Sequence, residues 1–120
     1  MPEKPGKAAE EPRAVITEEE WAKPVTFDEA GTFVSLREYE KGGRVFIPPA
    51  SLTDDQWLAL AVKRIEMNPG YDVTSLSSGR VTWQRALDEV RAKTKLGLRL
   101  AETEKRVIIY LIGEVTKPRS

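Results

Sequence analysis

The sequence predicts an α+β fold: a small antiparallel sheet built on a hairpin at 32–47, packed against three main helices near 53–67, 82–95 and 99–113. Three observations carry this. Residues 32–39 alternate with the period of two that marks a half-buried strand, and Gly42-Gly43 stands before Arg44-Val-Phe-Ile47, where a tight turn needs positive φ. Apolar residues recur at steps of three and four through Trp57–Ile65 and Trp83–Val90, the spacing of one helical face. Ile16–Trp21 and Leu52–Trp57 also share one helix-start pattern. Each has an apolar residue, then Thr, an acidic first turn, Glu or Gln at the third helical position and Trp at the fourth.

Taken in order, residues 1–13 hold three prolines, a glycine and alternating charges with nothing to bury, and are expected to be a disordered tail. Thr17 can cap a first helix with Glu20 closing a capping box, and Lys23-Pro24 keeps that helix short. Two strands alone are marginal, so the 32–47 hairpin must lie against helices or recruit a third strand from Ala14–Thr17 or Val25–Phe27. Pro48-Pro49 ends the second strand. The helix capped by Thr53 runs to Asn68-Pro69-Gly70, and 70–81 reads as a long polar connector. Thr82 can cap the next helix, which Gly97 is expected to break. Beyond it, Leu100, Ala101, Val107, Ile108, Leu111, Ile112 and Val115 share one arc of a helix. The rival reading of 96–112 is a β-hairpin, with Leu96, Leu98 and Leu100 alternating, a β-branched run from Val107 and Glu102–Lys105 as the turn. The continuity of the arc favours helix. Residues 14–115 are expected to form a single globular domain, with 116–120 a frayed end.

Composition narrows the chemistry. The 120 residues are 40% hydrophobic and 32% charged, ordinary for a globular chain. No apolar run approaches the roughly 20 residues needed to cross a bilayer, and the N-terminus lacks the apolar core of a secretory signal. The absence of cysteine removes disulfides, thiolate nucleophiles and Cys-ligated metals. With no histidine there is neither an imidazole base nor an imidazole ligand. Net charge is zero but uneven: residues 1–40 carry 5 basic and 10 acidic side chains, and residues 41–120 carry 14 and 9.

Candidate sites follow from that asymmetry. Ser77, Ser78 and Arg80 precede a helix N-terminus, where free amides suit an anion, although the Gly-Lys-Ser/Thr core of a P-loop is missing. With Arg85, Arg91, Lys93, Lys95 and Arg99 they could track a nucleic-acid backbone. Asp88 and Glu89 interrupt that face, and no aromatics are interleaved with it. Glu104 falls in the middle of the apolar arc, which calls for a buried ion pair with Arg85 or Arg80. Trp21, Trp57 and Trp83 each sit in a first helical turn and read as core residues. Asp54 and Asp55 are adjacent and so do not share a helix face, and capping accounts for them.

The expected function is therefore a non-enzymatic protein–protein interaction or assembly module, an adaptor or accessory subunit in the cytoplasm. It needs no cofactor, catalytic residue or metal, and no membrane. Its partner is expected to be another protein. The alternative is a small nucleic-acid-binding regulator using the 80–99 face.

Overall fold

A computed structural model describes residues 16–75 and 79–117, so the tail expected at 1–13 lies outside the described residues. Along the chain run α1 (Glu18–Ala22), β1 (Pro24–Phe27), β2 (Phe33–Ser35), α2 (Leu36–Lys41), a 3-10 turn at Pro49–Ser51 and α3 (Asp54–Glu66). They are followed by β3 (Asp72–Ser75), β4 (Gly79–Thr82), α4 (Trp83–Ala92) and α5 (Lys95–Val115). The fold class is α+β, with two separate antiparallel pairs, β1–β2 and β3–β4, packed with helices.

The hairpin expected at 32–47 does not form. β2 is only three residues long and pairs with β1, in register Thr26↔Val34 and Phe27↔Phe33. At Ser35 the chain turns helical because Ser35 and Glu38 close a reciprocal capping box, each side chain bonding the other's backbone amide. Gly42, at φ 74°, ends that helix and does not turn a hairpin. The segment expected as the second strand instead touches the far edge of β1. It makes one bridge there, Asp28↔Phe46, and the Ile47 amide donates to the Phe27 carbonyl at 2.8 Å. Arg44 locks the arrangement, donating to Asp28 at 2.6 Å and to Glu38 at 2.8 Å.

The connector at 70–81 holds structure of its own. β3 and β4 pair from Asp72↔Thr82 to Ser75↔Gly79, with Val81 buried and Val73 packed beside it. Residues 96–112 are helical, so the β-hairpin reading is overturned, and the break between the last two helices falls earlier than Gly97. Lys93 adopts the left-handed conformation that ends α4, and Thr94 caps α5 by accepting from the Gly97 amide. Gly97 has a different task. It lies inside the first turn of α5, pressed onto the end of α4, where a Cβ would run into the Glu89 carbonyl and the Val90 amide.

Capping explains much of the rest. Thr53 and Gln56 form a full capping box on α3. Thr17 caps α1 by accepting from the Glu20 amide, but the Glu20 carboxylate turns inward and leaves the box unclosed. Thr82 stands at the N-cap of α4 without a side-chain cap bond. Thr116 caps α5, its hydroxyl donating to the Ile112 carbonyl at 2.7 Å, while 118–120 lie outside the described residues.

Two apolar clusters form the core. One gathers Val25, Phe27, Leu36, Trp57, Leu60, Ile108 and Leu111, with Trp21, Phe33 and Ile112 packed against it. The other gathers Ala61, Ile65, Val81, Leu87, Val90, Leu100 and Ala101, with Trp83 and Tyr71 beside it. α3 and α5 contribute to both. The Trp83 indole also donates to the Ile65 carbonyl at 2.7 Å, adding a second bond to an acceptor near the end of α3 that the Asn68 amide already meets at 3.0 Å.

Candidate functional site

Four of the basic residues expected to form one surface, Arg80, Arg85, Arg91 and Lys93, are met by an acid. Arg80 reaches across the β3–β4 hairpin to Asp72 at 2.7 Å, and that guanidinium holds the Asp72 carboxyl below its ordinary range. Arg91 pairs with Glu66 at 2.6 Å, Lys93 with Asp55 at 3.6 Å, and Arg85 with Glu89 at 3.7 Å. Arg99 is engaged as well, Lys95 opens α5 at an exposed position, and Ser77 and Ser78 lie outside the described residues. Carboxylates from α3, β3 and α4 thus interleave with the positive charges, those of α3 from 25 or more residues away in sequence. A polyanion would have to displace them one by one.

Glu104 is in an ion pair, but its partner is Arg64 of α3 at 2.9 Å. Arg80 and Arg85, the partners expected from the sequence, are taken by Asp72 and Glu89. Arg64 is 1% exposed, and every arm of its guanidinium is used. Nε donates to Glu104, Nη2 to Glu20 at 2.6 Å, and Nη1 to the Pro24 carbonyl at 3.2 Å. Glu20 also accepts from the buried Lys23 ammonium at 2.7 Å, so two cations and two carboxylates close a neutral set. Burial alone would raise the Glu20 pKa, but the Lys23 and Arg64 bonds outweigh it and hold the carboxyl below its ordinary value. Tyr71 stands near this group; burial first and the Glu104 charge second push its phenol up to about 12. Along α5, Glu104 falls between Ala101 of one apolar cluster and Ile108 of the other. A signal for Arg64 was present in the sequence: it sits seven residues after Trp57, on the same apolar face. Such a set joins α1, β1, α3 and α5 and gives the packing one register.

The second feature is open to solvent. A groove of about 470 Å³ runs between the Pro48-Pro49 turn with Leu52 on one side and Lys105, Ile109 and Ile112 of α5 on the other. Trp57 and Asp54, from the start of α3, complete its lining. A smaller hollow of about 240 Å³ continues it past Leu58, Leu98 and Glu102, sharing Trp57 and Lys105. The Lys105 ammonium lies 5.1 Å from the centre of the Trp57 ring, a cation–π contact. Leu98, Ile109 and Tyr110 leave 49%, 52% and 55% of their surfaces in solvent. Apolar side chains with Asp54, Glu102 and Lys105 on the rim suit a peptide or helix face. This surface is hard to see in the sequence because the inner arc of α5 dominates the helix's apolar pattern. Leu98 and Ile109, eleven residues apart, fall on a second face of the same helix, beside Ile112 at the edge of that arc.

Among the described residues no group of three or more acidic, His or Cys side chains is placed to hold a metal ion, and no helix is long and apolar enough to cross a membrane. Set beside protein-family models, curated proteins and solved structures, the chain matches none of them.

Proposed function

We propose that the chain is a non-enzymatic protein–protein interaction module, an adaptor or accessory subunit of the cytoplasm, which docks its partner in the groove between α5, α3 and the Pro48-Pro49 turn. The observation that carries this reading is the partly exposed apolar stripe of Leu98 and Ile109 beside a concave, Trp57-lined surface. Isolated exposed apolar residues are normal on any protein, whereas a stripe bordering a hollow is the usual form of a docking site. The lack of any histidine or cysteine supports a non-catalytic role. The nucleic-acid reading has less support, since Arg80, Arg85, Arg91 and Lys93 each already face a carboxylate.

Affinity capture from the native cell extract, with and without nuclease, tests this against an Ile109→Asp variant. The expected result is a protein partner that survives nuclease and is lost with Ile109→Asp. Partners that vanish with nuclease would transfer the function to the basic surface, and capture indifferent to Ile109→Asp would remove the groove.

A further inference from the structure

We propose that the groove face of α5 pairs with a second copy of the chain, the two α5 helices running antiparallel about a twofold axis between Thr103 and Glu104. The inference rests on the interaction-module reading and names its partner. The outer stripe reads Leu98, Glu102, Lys105, Ile109, exposed except for the half-buried Lys105, at steps of four, three and four, the spacing of a helix-pairing seam. Reversing the direction of that stripe about its centre sets Leu98 against Ile109 of the second copy and Glu102 against Lys105, both twice over. An apolar–acid–base–apolar order is therefore complementary to itself only in the antiparallel sense. A twofold interface demands that kind of self-matching. Run parallel, the same stripe would set Glu102 against Glu102 and Lys105 against Lys105.

Two further features agree with this register. Gly113 lies in the last turn of α5, four residues past Ile109, and a Cβ there would meet nothing within 4 Å among the described residues. Glycine inside a helix is disfavoured against alanine, and nothing in the packing of the described residues calls for it. In the antiparallel pair Gly113 falls opposite Thr94 of the second copy, where a second backbone can come close. The C-terminal end of each α5 then lies beside Lys95 of the other, a favourable match of helix dipole and charge.

Sedimentation equilibrium of the full chain tests the pairing through its charges. The expected result is a dimer, with Glu102→Lys and Lys105→Glu each weakening association by at least about tenfold. Mixing the two variants should restore a heterodimer, a recovery that misfolded proteins would not show. The cysteine-free background permits a second measurement. Under mild oxidation a mixture of Leu98→Cys and Ile109→Cys chains should cross-link, while Leu98→Cys alone should not. A wild-type monomer, a dimer indifferent to both charge reversals, or ready cross-linking of Leu98→Cys to itself would overturn the proposal. A monomer that still captures another protein in an Ile109-dependent manner would overturn the pairing and leave the interaction module standing. A monomer that captures nothing would overturn both.

Discussion

Arg64 is the most demanding side chain in the molecule, since it keeps a permanent charge with almost no contact with water. Only the planar fork of a guanidinium can serve Glu104, Glu20 and the Pro24 carbonyl together, so Lys is no substitute. Removing one member of such a set leaves the others desolvated without their partner, at about 3–5 kcal/mol. Glu20 and Glu104 retain some exposure, which places Arg64→Met near the lower end, about 3 kcal/mol by urea denaturation. A loss under about 1 kcal/mol would mean that the set contributes little. The same residues fix the pH response. The Glu20 carboxyl is held below 4.5, so its contribution is complete above that pH and is lost as acid protonates it in the folded chain. Tyr71 acts at the other end: its phenol is held up near 12 against an ordinary 10.0, so its contribution is complete below pH 10 and drains as pH rises toward 12. Denaturation midpoints measured across pH should show both arms, with the acid arm shallower in Glu20→Gln and the alkaline arm shallower in Tyr71→Phe. At this scale the sequence disclosed that Glu104 needed a cation. It hid which one, because the partner lies 40 residues away on another helix.

Among elements, the longer helices were legible and the short ones were not. α3 and α4 announce themselves through periodic apolar faces and, for α3, a Thr–Gln capping box; α5 does so through four turns of continuous arc. α2 spans only six residues, too few for periodicity to outweigh an alternating reading, and its true signal was the Ser35–Glu38 pair. The β3–β4 hairpin escaped for a related reason: four-residue strands with one buried valine leave almost no pattern. Gly97 reads from the sequence as a helix break but lies inside α5 as a close-contact residue against α4. A glycine that stopped a helix at positive φ would be strained by any side chain, whereas alanine within a helix gains about 1 kcal/mol over glycine by propensity alone. Because a methyl at 97 meets the backbone of α4, Gly97→Ala should instead destabilise by about 1–3 kcal/mol, the range for overpacking. A stabilised variant in thermal or urea unfolding would show that α4 and α5 can move apart freely.

For the molecule as a whole, the division of the core matters more than its size. α3 carries Trp57 and Leu60 into one cluster and Ala61 and Ile65 into the other; α5 does the same with Ile108 and Leu111 against Leu100 and Ala101. Neither cluster can be dismantled without pulling both helices out of the second, so unfolding should be a single cooperative step. Urea transitions followed by far-UV circular dichroism and by tryptophan fluorescence should coincide, and separated midpoints would show that the clusters melt independently. The α+β class was readable because it depends on element types. Strand pairing was not, because it depends on contacts that no local pattern records. The position of Trp57 has one more consequence. Its indole lines the groove beneath Lys105, while Trp21 and Trp83 pack elsewhere. A chain with Trp21→Phe and Trp83→Phe would carry its single tryptophan in the docking surface, and that indole's emission colour, excited apart from the three tyrosines, would report occupancy directly, without any attached dye.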